Sequence, residues 1–98
     1  MLRGIDPNER HEHISKYDLD EPKTVFVLKP LSALDMPENL VTREDMLQML
    51  SSAVVEIKNM PAGIDKDAYL RRLDVLSLGE LIGVCNKLNG LTGQETKN

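Results

Sequence analysis

The sequence predicts an α+β fold that is mainly α: a polar N-terminal arm, one short β-strand or hairpin, and a small bundle of about three helices. Two observations carry this prediction. Residues 23–29 are rich in β-branched and aromatic side chains and lie between prolines, as strands do. The second half of the chain carries helix-capping residues, each followed by apolar residues at helical spacing. At 98 residues the chain fits one small domain.

The N-terminal residues 1–21 contain few apolar side chains and no sustained period, so we expect an extended arm. Within it, Asp6 and Pro7 are typical of the first turn of a helix, since Asp caps and Pro fits the first helical position. Residues 91–98 are polar and predict a flexible tail. The remaining residues, 22–90, form the predicted helical domain with an edge strand at 23–29.

The segment Lys23–Lys29 is the predicted strand. Pro22 and Pro30 bound it because proline cannot donate a hydrogen bond to a β-ladder. Both of its faces are mostly apolar, and one strand cannot satisfy its own backbone. Its partner is therefore either the arm or another protein, and we favour another protein by a narrow margin. The predicted partner contacts are Lys23, Thr24, Val25, Phe26, Val27 and Leu28, together with Val55.

The clearest helix start is Thr42, with Asp45 three residues later as a variant of the capping box. Apolar residues at helical spacing then continue as far as Ile57, which predicts one helix to that point. Val55 is the exception, because it stands on the polar side of the helix.

Two further helices are predicted after the break at residues 59–64. Asp65 begins the first. Ser77 is the predicted N-cap of the second, with Glu80 at the reciprocal position of a capping box. The last helix should end near Asn89 and Gly90, since Asn-Gly is typical of a helix C-terminus.

Composition argues against several classes of function. The net charge is −4 and the basic residues are scattered, so no basic patch for nucleic acid is expected. The longest apolar stretch, residues 75–85, is too short to cross a bilayer, and no membrane partner is expected. Cys85 lies among apolar residues, which indicates a buried and inert thiol. Phosphate-binding glycine loops and nucleophile motifs are missing, so we predict no enzyme, no catalytic residues and no cofactor.

Two polar clusters offer ligand types without a complete site. His11, Glu12 and His13 are suitable metal ligands, but no third ligand cluster lies near them in the sequence. We therefore predict no metal site. Asp18, Asp20 and Glu21 precede the strand, and we interpret them as charges that keep an exposed edge soluble.

Two segments carry a resemblance to a known group of proteins. They are "ISKYDLDEPKTVFVLKPLSALD", Ile14 to Asp35, and "NKLNGLTGQETKN", Asn86 to Asn98, about a third of the chain. With its polar lead-in, its strand ending in Leu-Lys-Pro-Leu and its polar closing segment, the chain resembles small accessory proteins of tailed-bacteriophage morphogenesis, in particular the tail-assembly-chaperone-like group. Relatives of that group carry a longer central helical segment than this chain does.

The resemblance implies a non-enzymatic protein-binding subunit in phage assembly, located in the host cytoplasm. Its implied partner is a phage structural protein of the tail or capsid, and a homo-oligomer is also compatible. An alternative is a permanent virion subunit, such as a connector or a tail or capsid component, that docks through its arm and edge strand. A small metal protein using the His11–His13 region is the contrasting hypothesis.

Overall fold

The computed structural model describes residues 6, 8–32 and 34–89. These residues form a mixed α/β fold with a small antiparallel sheet and helices packed against one of its faces. In chain order the elements are β1 (His11–Ile14), β2 (Val25–Leu28), α1 (Arg43–Ala53), β3 (Val54–Lys58), α2 (Lys66–Arg71) and α3 (Val75–Leu88). The predicted flexible tail, the role of Pro7 and that of Gly90 lie outside the described residues.

The predicted strand is β2, and it lies in the middle of the sheet between β1 and β3. Phe26 pairs with His13 of β1 on one side and with Ile57 of β3 on the other, both antiparallel. The prediction of an edge strand at 23–29 is therefore wrong, and so is the preference for a pairing strand from another protein. The backbone of β2 is satisfied twice within the chain: by a short segment of the arm and by a segment predicted to be helical.

Helix α1 begins as the sequence predicts. Thr42 is the N-cap, its hydroxyl accepts from the N–H of Asp45 at 3.1 Å, and the Asp45 carboxylate accepts from the N–H of Thr42 at 3.1 Å. The predicted end at Ile57 is wrong, because the helix stops at Ala53 and the chain turns directly into β3. Residues 54–58 include three β-branched side chains, and pairing with β2 overrides their helical spacing.

A change of register in β3 explains why Val55 does not fit the helical stripe. Val27 of β2 pairs with Glu56, whereas the next residue, Leu28, pairs with Val54. Val55 is the extra residue of this irregularity, as in a β-bulge, and its side chain is 37% exposed.

The capping residues of the other two helices are partly as predicted. Asp65 is the N-cap of α2 and accepts from the N–H of Ala68 at 2.7 Å. The N-cap of α3 is Asp74, whose carboxylate accepts from the N–H of Ser77 at 2.8 Å, so the prediction of Ser77 is wrong by three residues. Aspartate and serine are comparable caps, and Asp74 adds a full turn to the helix. Asn89 ends α3, and its N–H donates to the carbonyl of Cys85 at 3.1 Å.

The core lies between the inner face of the sheet and the three helices. Its largest fully buried side chains are Leu28, Met49, Leu50, Leu70, Leu81, Val54 and Cys85. Burial raises the pKa of the Cys85 thiol to about 11, which agrees with the predicted inert cysteine.

Candidate functional site: the arm and its cleft

Most of the predicted partner contacts lie inside the sheet. Phe26, Val27 and Leu28 are 3%, 7% and 0% exposed, so the strand does not present them as an open contact surface, and that part of the prediction is wrong. Val25 is half-buried within the same strand. Val55 is 37% exposed, and its prediction as a partner contact stays a prediction.

The outer face of the sheet is crossed by an ion pair that helps to cover β2. The Lys58 ammonium of β3 donates to the Glu12 carboxylate of β1 at 2.7 Å, although β2 lies between the two strands. Val25 pairs with Lys58 and Val27 with Glu12, so the pair runs diagonally over these valines. The aliphatic parts of both charged side chains can shield the valines from water, because long charged residues commonly bury their stems.

A second link ties the arm to α3. The Glu80 carboxylate is 3.0 Å from Nε2 of His13 and accepts from the backbone N–H of Lys16 at 3.3 Å. Burial acts to raise the pKa of Glu80, but hydrogen bonds from His13, Ser15 and Lys16 outweigh burial and leave the pKa below its usual value. Glu80 therefore fastens the arm to α3 rather than closing the capping box that the sequence predicts.

We expect Glu80→Gln to loosen the arm. The loss of a charge-assisted hydrogen bond should lower the free energy of unfolding by about 1 kcal/mol at neutral pH. Because the pKa of Glu80 is lowered in the folded state, this stabilisation is present above the ordinary Glu pKa of about 4.3 and disappears as the pH falls below it. Denaturant unfolding at pH 7 and pH 3 measures the difference, and amide exchange at Lys16 reports the arm directly. Glu38→Gln, at an exposed site, is the matched control, and an equal loss of stability in both variants would contradict the link.

Asp18 organises the connection from β1 to β2. One of its carboxylate oxygens accepts from the N–H of Thr24 at 2.8 Å and the other from the N–H of Asp20 at 3.1 Å. The hydrogen bond from Thr24 contributes most, and that from Asp20 adds to it, to hold the pKa of Asp18 below its usual value. The Lys23 ammonium, one of the predicted contacts, donates to the Asp18 carbonyl at 2.6 Å. The aspartate interpreted as a solubilising charge therefore shapes a loop.

A cleft of about 370 Å³ opens between this loop and the helices α2 and α3. Its apolar lining comes from Phe26, Tyr69, Leu73 and Leu81, with the Phe26 and Tyr69 rings 6.3 Å apart. Polar residues form the rest of the lining: Ser15, Tyr17, Asp18, Asp20, Thr24, Asn59 and Ser77, beside Pro22 and Pro61. An apolar base with a polar rim suits a partner side chain better than it suits covalent chemistry.

Apolar side chains of the arm are exposed near this cleft. Ile14, Tyr17 and Leu19 are 49%, 42% and 87% exposed; Tyr17 lines the cleft, whereas Ile14 pairs with Val25 and lies on the outer face of the sheet. We call these three residues the arm surface. They are three of the eight exposed large hydrophobic residues in the described part of the chain, yet they fall within six positions. The sequence pattern does not single out these residues as contacts; the signal it offers is an aromatic residue, Tyr17, and a leucine, Leu19, in a polar segment without any period.

The two histidines have separate partners. His11 contacts the Glu9 carboxylate, and His13 contacts Glu80. Among the described residues no three or more His, Cys, Asp or Glu side chains are grouped as a metal site. A search of the same residues finds no helix long and apolar enough to cross a membrane.

The chain has no match in comparisons with protein-family models, with curated proteins or with solved structures.

Proposed function

We propose that the protein is a non-enzymatic protein-binding subunit that docks a partner on its arm surface and the adjoining cleft. The observation that carries the proposal is the exposure of Ile14, Tyr17 and Leu19 within six positions of the arm, with Tyr17 at the rim of a cleft that has an aromatic base. Exposed apolar side chains grouped beside a groove are typical of protein contact sites, and a tyrosine is a frequent anchor.

The arm is presented in a defined position rather than left free. Glu80 fastens it to α3, and the ladder with β2 fastens it to the sheet. Such an arrangement lowers the entropy that a partner must overcome on binding. The outer edge of β1 carries backbone groups that a partner strand could pair with beside the arm surface.

The setting we propose is tailed-phage assembly, on the strength of the resemblance of residues 14–35 and 86–98. The partner is then a phage tail or capsid protein whose apolar surface is shielded in the host cytoplasm until assembly. A permanent virion subunit is the second candidate, favoured by the short central helical region and by the same ordered arm.

Leu19→Asp is expected to weaken partner binding at least tenfold, because it places a charge in the proposed apolar contact. The measurement is isothermal titration or biolayer interferometry of the purified protein against individual tail and capsid proteins of a phage that encodes it. Leu34→Asp is the matched control, since Leu34 is 97% exposed and lies outside the arm surface. Equal binding by wild type and both variants would overturn the arm surface as the contact.

Mass spectrometry of purified virions separates the two candidate roles. An assembly chaperone is absent from mature particles, whereas a structural subunit is present at fixed stoichiometry. If none of the structural proteins binds and the particles lack the chain, the proposed function is wrong.

A further inference from the structure

The second free edge of the sheet belongs to β3. β2 pairs with one side of β3, and the described residues place no strand on its other side. In an antiparallel strand every second residue turns its N–H and C=O away from a given neighbour, so these groups of β3 are open to another strand. One of them has a partner already: the carbonyl of Val54 accepts from the Lys66 ammonium at 2.7 Å. The rest of the strand, residues 55–58, offers the open edge.

The charged side chains along this edge of β3 are arranged so that the edge is complementary to the same edge of a second copy of the chain. Glu56 and Lys58 lie on the outer face of the sheet, and Ile57 lies between them on the inner face. The Glu56 carboxylate makes no hydrogen bond or ion pair with any described residue, although it lies near enough to Lys58 of the same chain to interact with its charge, and both charged residues are exposed. A single strand thus presents one acid and one base two positions apart on the same face.

We infer that β3 pairs antiparallel with β3 of a second copy, with Ile57 opposite Ile57. In this register Glu56 of each copy lies opposite Lys58 of the other, so two attractive pairs form about one two-fold axis. The result is a continuous six-stranded sheet with β1 at both ends. The arm surface is left open, and the inference does not depend on the proposed partner.

The neighbouring registers are less favourable. Centring the axis on Glu56 opposes two carboxylates, and centring it on Lys58 opposes two ammonium groups. A slip by one residue brings an outer side chain of one copy against an inner side chain of the other. The strand β1 offers no such pairing with itself, because Glu12 is its only acidic residue and the strand contains no lysine or arginine. The charges therefore select both the strand and the register.

The pair between Lys58 and Glu12 adds to this arrangement. Lys58 would lie between Glu12 of its own chain and Glu56 of the second copy, while Glu56 of its own chain is also near enough to interact with its charge. The paired edge is short, so we expect a weak dimer that forms as concentration rises.

Sedimentation equilibrium of the purified protein from 10 μM to 1 mM tests the inference. Wild type should dimerise within this range. Glu56→Lys and Lys58→Glu should each weaken self-association roughly tenfold, because each converts both attractive pairs into repulsive ones. An equimolar mixture of these two variants should recover dimers, since every pair across the axis is then attractive. The double exchange within one chain should also dimerise.

Glu12→Gln is the control for the internal ion pair. It removes the partner of Lys58 within the chain and leaves the β3 edge unchanged, so this variant should still dimerise. Circular dichroism confirms that each variant is folded before it is scored. A wild type that stays monomeric at 1 mM overturns the inference, as does self-association of the single variants that equals wild type. A mixture that fails to recover dimers also overturns it. These measurements use the protein alone, so their failure is separate from a failure of partner binding.

Discussion

Replacing Val27 with proline should lower the free energy of unfolding by about 3 kcal/mol or more and abolish the sheet. Val27 pairs with Glu12 on one side and Glu56 on the other, so its N–H belongs to a ladder in the middle of the sheet. Proline removes that donor, and its ring cannot be accommodated between two paired strands. For a domain of this size the loss corresponds to a fall in Tm of about 12 °C or more.

Thermal melting followed by far-UV circular dichroism measures this effect. Val27→Thr is the matched control, because threonine keeps the N–H and the β-branched shape, and its cost should be about 1 kcal/mol. A proline variant that melts like the wild type would contradict the central position of β2. That result would instead support the edge strand that the sequence predicts.

The sequence predicts those features that depend on neighbouring residues. Thr42 with Asp45, and Asp65 with the N–H of Ala68, are contacts across three positions, and both are as expected. The proline-bounded strand is also local, and β2 lies within its predicted bounds. Asp74 shows the limit of prediction from neighbouring residues. Asp74 and Ser77 can both cap a helix, and α3 begins after the earlier of the two.

The misjudged features depend on contacts distant in the sequence. Residues 54–58 fit a helical period, and only pairing with β2 makes them a strand. The sequence of β1 predicts a polar arm and not a strand. The contacts that order it, the ladder with β2 and the link between His13 and Glu80, join residues far apart in the chain. The predicted contact surface is wrong for the same reason, because the strands that flank β2 cannot be inferred from neighbouring residues.

At Ala53 the chain changes directly from helix α1 to strand β3. A lysine that the sequence pattern does not indicate stabilises this change. The Lys66 ammonium of α2 donates to the carbonyl of Ser51 at 2.8 Å and to that of Val54 at 2.7 Å, on either side of the change. Carbonyls at the end of a helix lack partners within the helix, and α1 has no basic residue in its last turn. Lys66 supplies both the hydrogen bonds and the positive charge from another element.

We therefore expect Lys66→Met to lower the free energy of unfolding by about 2 kcal/mol, since it leaves two carbonyls without this donor while keeping an aliphatic side chain of similar length. Urea unfolding measures the loss, and amide exchange should rise first in residues 51–55. Lys87→Met is the matched control, because Lys87 is an exposed base in the last turn of α3. Its removal costs only the interaction with the helix dipole, about 0.3–1 kcal/mol. Equal losses in the two variants would mean that α1 ends at Ala53 because of the β2 ladder alone. A larger loss of stability in Lys66→Met would mean that α2 is needed to end α1 at Ala53.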